Sequence, residues 1–195
     1  MKSRFAISTL SLVYMVFFLG GCSSTLKPTK LNEDGYFNTG TVISADCIKI
    51  QKDFKDEYKA LLYVKTDEKN EKLNEFFLDT FTNMEIFDEV KDKAGMENLV
   101  FEKDLSDSVS SVSDRIGLHN LQKEIGPFLV VETYVEWKGS YDFMSKLTAF
   151  DPQSGKEVLV LEKTAFNWVG LDKPLFYPLF NAFLDWARGE EIRTD

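Results

Sequence analysis

Hydrophobic residues fall along this chain in runs whose spacing changes several times, and each change marks an element. Residues 5–19 are mostly apolar, interrupted early by Ser8, Thr9 and Ser11. Residues 23–40 are polar without a period and read as a tether, with Tyr36 and Phe37 beginning to dock at its end. Residues 41–50 predict a first strand carrying Ile43, Ala45 and Cys47 on one side. After a charged turn, Ala60-Leu61-Leu62-Tyr63-Val64 is a continuous apolar run, as expected of a central strand covered on both faces. Leu73, Phe76, Phe77, Thr80, Phe81 and Met84 then recur at intervals of three and four. With Glu71, Lys72, Asn74, Glu75 and Asp79 opposite, and Asp67 as a cap, they predict an amphipathic helix with an aromatic stripe.

The second half alternates more sharply. Ile86–Val90 predicts a short strand, and Met96, Leu99 and Val100 a short helix within 94–104. Asp104–Asp114, rich in Ser and Asp, predicts a loop. Ser113 or Asp114 can cap a helix running to Ile125 with Ile116, Leu118, Leu121 and Ile125 inward; Gly126 and Pro127 stop it. Three strands follow. Phe128–Lys138 places Leu129, Val131, Thr133, Val135 and Trp137 on one face. Gly139-Ser140 turns the chain into Tyr141–Phe150, and Asp151-Pro152-Gln153-Ser154-Gly155 turns it into Lys156–Trp168. The order strand, strand, helix, strand, helix, helix, three-strand meander, helix predicts an α/β or α+β fold. Its core is one mixed sheet with a carboxy-terminal antiparallel meander and helices packed against it.

The last helix admits two readings. Leu175, Leu179, Ala182 or Phe183, and Trp186 form one face, and Phe176, Phe180, Leu184 and Ala187 an adjacent one. That arc is wider than a helix lying on a sheet needs. Either the helix is deeply packed, or part of the arc, with Phe176, Tyr177, Phe180 and Trp186, is a candidate interface for a partner. Asp172 can cap it, and Pro174 and Pro178 place its real start at Pro178 or a kink there. Gly189 ends it, leaving 189–195 as a charged tail.

The amino terminus changes the picture most. Lys2 and Arg4 precede the apolar run, which is shorter than the ~20 residues of a membrane-spanning helix. It ends in Leu19-Gly20-Gly21-Cys22. A basic start, a short apolar core and small residues at the cut make a secretory signal. The four final residues resemble the lipobox of bacterial lipoproteins. The resemblance implies a diacylglycerated Cys22, cleavage before it, and acylation of the new amine. Ser23, where Asp would favour inner-membrane retention, implies an outer-membrane address with the domain facing the periplasm or the cell surface. The chain then divides into a signal peptide (1–21), a lipidated cysteine with tether (22–40), one globular domain (41–188) and a tail (189–195).

Charge and thiols narrow the chemistry. The chain has 23 basic and 32 acidic residues, a net charge of −9. Removing Lys2 and Arg4 takes it to about −11, a balance that repels nucleic acid and anionic headgroups. With Cys22 lipidated, Cys47 has no intramolecular partner and is expected to be buried and inert. His119, the only histidine, lacks a nucleophile elbow or a ligand pair. Glu132 and Glu136 lie about 13 Å apart along a strand, beyond the ~5–9.5 Å of glycosidase pairs. The 104–114 loop lacks the Gly turn and terminal Glu of a calcium loop. No cofactor, metal or catalytic residue is expected.

By order of elements and cell address, residues 41–188 resemble the small α/β domain shared by several envelope proteins: the amino-terminal domain of TolB, the curli-secretion lipoprotein CsgG, and the synthase activator LpoB. No diagnostic motif accompanies the resemblance, and it carries no functional residue across. The leading expectation is a non-enzymatic accessory or assembly factor, anchored through Cys22 and binding another envelope protein. A module for a small apolar ligand or lipid, its cavity lined by Phe residues of the domain, is the alternative. Self-association through the carboxy-terminal segment is a further reading. A hydrolase using His119 with Asp or Ser of the 104–114 loop is the remaining one.

Overall fold

The computed structural model describes residues 30–66, 71–166 and 175–195. The lipobox, Asp67, Asp172 and Pro174 lie outside the described residues. Six strands form one mixed sheet in the order β1-β6-β5-β4-β2-β3: β1 Ile48–Gln51, β2 Leu61–Lys65, β3 Glu89–Lys91, β4 Leu129–Gly139, β5 Asp142–Asp151 and β6 Lys156–Phe166. β2 pairs parallel with β3 and β4; all other pairs are antiparallel. Four helices, α1 Glu71–Thr82, α2 Lys93–Glu102, α3 Arg115–Ile125 and α4 Tyr177–Ala187, pack against it. The fold is α/β, with the meander β4-β5-β6 at the centre of the sheet.

Two cores explain the sequence pattern. In β2, Leu62 and Val64 face the α1/α4 side, while Leu61 and Tyr63 face the α2/α3 side, so every apolar position is covered. In β4, Leu129 and Val131 enter the first core and Val130 the second. Single-face coverage of the meander, as the alternation suggests, therefore does not hold at its start. The α1 stripe is as expected: Phe76, Phe77, Thr80 and Phe81 are buried.

Two local expectations are corrected. Residues 41–50 are not one strand. Ile43 makes an isolated bridge to Thr194, Ala45–Cys47 form a single 3-10 turn, and only then does β1 begin. Ala45 is consequently exposed, while Ile43 and Cys47 are buried. Ile116 is 76% exposed. The buried face of α3 is Gly117, Leu118, Leu121 and Gln122, because the 104–114 loop presses on Gly117. That loop inserts Val109 and Val112 into the second core.

The domain also extends past both edges drawn from the sequence. Tyr36 stacks beneath Arg193 (3.5 Å to the ring centre) and Arg188 (4.9 Å), and its hydroxyl donates to Glu190 Oε2. The Asn181 side chain, within α4, accepts from Phe37 N–H (2.8 Å) and donates to Phe37 C=O (3.0 Å). Asp185 accepts from the backbone and side chain of Arg193. Residues 35–43 and 189–195 are thus strapped onto α4, not free tether and tail.

Gly117 is fixed by contact. A Cβ there would lie 1.8 Å from the Ser111 carbonyl oxygen, whereas one at Gly40 meets nothing within 4 Å. Overpacking against backbone costs typically 1–3 kcal/mol and sometimes more. Gly117→Ala is expected to destabilise the domain by about 2 kcal/mol or more in urea unfolding, with Gly40→Ala within ~0.5 kcal/mol of the parent.

Candidate functional site

The carboxy-terminal aromatics are core, not surface. Phe176, Tyr177, Phe180 and Trp186 are 0, 1, 0 and 2% exposed. Phe180 touches Phe37, Phe76, Phe77, Phe81 and Phe176, with ring centres 5.5–6.3 Å apart. Trp186 meets Phe54 edge-on at 5.0 Å, and its indole donates to Lys52 C=O. The wide apolar arc has a simple cause: α4 is wrapped by the sheet, α1 and the strap, and buries every residue from Tyr177 to Ala187. In this fold the arc presents no interface, and of its two readings the packed helix is the correct one. One open cleft lies between α1 and α2, lined by Glu71, Glu75, Asp92 and Glu97 among others.

The candidate catalytic groups are not brought together. His119 is half-buried, and its Nδ1 lies 3.0 Å from Pro152 C=O. A carbonyl only accepts, so Nδ1 carries the proton. In the 104–114 loop, Asp114 accepts from Ile116 and Gly117 N–H as the α3 cap, and those bonds, that to Gly117 foremost, hold its carboxyl below the usual range. Ser111 accepts from Ser113 N–H. Glu132 pairs with Lys65 at 2.6 Å and Glu136 with Lys138 at 2.8 Å. Cys47 is a buried free thiol, 3.4 Å from Ser44 Oγ.

One polar group sits inside the first core, beside the half-exposed Lys55 and the buried Asp151. Tyr58 is fully buried, and its hydroxyl closes no hydrogen bond, although Lys55 lies over the ring and pairs with Asp151 at 3.7 Å. Burial, assisted by the Asp151 charge, raises the Tyr58 pKa. An acid with a raised folded pKa retains its proton longer in the folded state. Its contribution is therefore complete below the unfolded value of about 10 and lost as pH rises through the folded value.

The surface missed in the sequence is the far end of the meander. β2 pairs with β4 only up to Glu132, and β1 with β6 only over Leu159–Leu161. Beyond those limits β4, β5 and β6 continue as a three-stranded ribbon. On β4 it runs seven residues, about 23 Å at ~3.3 Å each. Along it Tyr134, Trp137, Tyr141 and Phe166 are 54, 65, 44 and 62% exposed. Trp137, read as inward-facing, is not covered there, because α4 starts only at the level of Ser145, whose hydroxyl donates to Leu175 C=O. The available signal was strand length: 11 residues in β4 and β6 against 4 and 5 in β1 and β2.

No family model matches the chain, and no curated protein matches it. Among solved structures, the LpoB C-terminal domain from Salmonella enterica matches with a TM-score of 0.37 and 11% identity, over 55% of this chain and 83% of that one. So loose a likeness transfers neither family nor activity.

Two measurements separate core from surface. Phe180→Ala is expected to cost about 3–5 kcal/mol in denaturant unfolding, and Phe166→Ala no more than ~0.5 kcal/mol. Tyr58→Phe removes an unsatisfied buried hydroxyl. It should be neutral or stabilising by about 1 kcal/mol at pH 7 and flatten the loss of stability above pH ~10.

Proposed function

We propose that this chain is a lipid-anchored envelope protein, held in the outer membrane through Cys22, that acts by contact with another envelope protein rather than by catalysis. The observation that carries the contact is the aromatic ribbon. Four large aromatic side chains on one element are 44–65% exposed, Tyr141 and Phe166 meeting edge-to-face at 5.8 Å, while the other aromatic clusters are packed. Tyr and Trp exposed together are enriched where partners dock, because they offer large rigid area with a polar handle. The anchor rests on Leu19-Gly20-Gly21-Cys22 and on an acidic surface that supplies no attraction of its own to anionic lipid.

The strap sets the geometry of this arrangement. Residues 32–36 form a hydrogen-bonded turn beside the carboxy-terminal end of α4, whereas the ribbon leaves from its amino-terminal end. Lys30 lies eight positions after Cys22, a reach of at most about 28 Å when fully extended. A membrane-held strap would place the ribbon at the other end of α4, a helix of about 16 Å. The partner is then met on the far side of the domain from the lipid.

Cys22→Ser in the full chain is expected to abolish palmitate labelling and release the protein from membranes. A photo-crosslinker at Tyr141 or Phe166 should give one discrete product with a different protein, and the same group at exposed Glu71 none. Membrane retention of the Cys22→Ser chain would refute the anchor; equal labelling from Glu71 would refute the ribbon as the contact.

A further inference from the structure

The outer face of α2 and the 104–114 loop enclose a second cleft, of about 560 Å³. Clefts that hold small molecules run to roughly 300–1,000 Å³. On α2, Lys93, Glu97, Val100 and Phe101 follow at intervals of four, three and one and share one face. The chain leaves this helix by a tight reversal. Asp104, at φ +56°, donates its N–H to Phe101 C=O (3.1 Å), and Leu105 donates to Val100 C=O (2.9 Å). The loop is thereby laid back along the helix, with Val109 and Val112 sunk into the second core. It is held in that shape: Ser111 accepts from Ser113 N–H, its carbonyl presses on Gly117, and Asp114 caps α3. A cleft fixed in this way loses little freedom when it is filled.

Three properties of the lining select what can fill it. The floor is apolar, Val100, Val109 and Val112 being 4–6% exposed. One wall carries the Phe101 ring, 71% exposed. The facing wall carries the exposed hydroxyls of Ser106, Ser110 and Ser113, which make no hydrogen bond to the protein among the described residues. Each of these hydroxyls can both donate and accept. The charges cancel, since Lys93 and Glu97 pair with each other at 3.8 Å. An ionic ligand therefore meets no net opposite charge. An acyl chain would take the serine hydroxyls out of water without replacing their bonds. A neutral ring with an apolar C–H face and a rim of hydroxyls suits floor and walls together. The negative face of an aromatic ring attracts positively polarised C–H bonds.

We propose that this cleft binds a neutral saccharide, with the C–H face of one pyranose ring on Phe101 and its hydroxyls toward Ser106, Ser110 and Ser113. The binding gives the serine-rich loop a use that its structural work does not account for. Capping α3 takes Asp114 and shaping the loop takes Ser111, and three hydroxyls remain. The cleft shares no residue with the ribbon or with Cys22, so this proposal and the function proposed above can fail separately.

The test titrates the full chain, solubilised in a detergent without a sugar headgroup, with maltotriose and with triacetylchitotriose, two neutral trisaccharides. Calorimetry is expected to show saturable binding of at least one, with one sugar per chain and a Kd of about 1 mM or tighter. Phe101→Ala should weaken it at least tenfold, and Phe101→Trp should retain it. Ser110→Ala combined with Ser113→Ala should weaken it threefold or more, and Phe166→Ala should leave it unchanged. All these side chains are exposed, so circular dichroism of each variant should match the parent. No saturable binding of either sugar at about 10 mM overturns the proposal, as does binding that survives Phe101→Ala or is lost in Phe166→Ala. Decanoate bound more tightly than both sugars, and lost in Phe101→Ala, would overturn it in favour of an acyl site.

Discussion

The burial of α4 is the constraint on which the rest of the structure depends. A helix buried around its whole circumference cannot lie on a sheet with one side in water, so other elements must wrap it. The sheet lies beneath, α1 brings Phe76, Phe77 and Phe81 to one flank, and the amino-terminal strap closes the outside with Phe37. Burying a Phe side chain contributes about 1.5–3 kcal/mol, and well-placed ring pairs add roughly 0.5–1.5 kcal/mol. The polar devices serve the same end. Asn181 satisfies both backbone groups of Phe37, and Asp185 with Arg193 ties down the segment after the helix.

Much of the fold was legible because it depends on local period. The α1 stripe, the continuous run of β2 and the meander with its two turns are each written within a dozen residues. What escaped the sequence depends on where neighbouring elements stop. Trp137 alternates with inward residues, yet it is exposed because β2 ends at Lys65 and α4 reaches only as far as Ser145. Ile116 has helical spacing for burial, yet it points outward because the Ser111 carbonyl claims the face of Gly117. The aromatic density of 175–187 could not separate an enveloped helix from a sticky one, since both need the same residues. The residues now carrying the candidate site, Tyr134, Trp137, Tyr141 and Phe166, were read as strand; their exposure is a property of unequal strand lengths.

Among the described residues the candidate catalytic side chains have structural partners. Ser and Asp of the 104–114 loop cap α3 and shape the loop, and the acids of β4 pair with neighbouring lysines. Polar side chains are engaged in holding backbone and charge, and the aromatic ones are split between a closed core and one open ribbon. The ribbon displays its rings on paired strands rather than on a loop.

The strap has a further consequence for how the molecule can be handled. Tyr36 lies between Arg188 and Arg193, and Ile43 bridges Thr194. The entering and departing chain are therefore neighbours, on the side of the domain remote from the ribbon. A reporter fused after Asp195 would emerge beside the entering strand. It would leave the aromatic surface unobstructed.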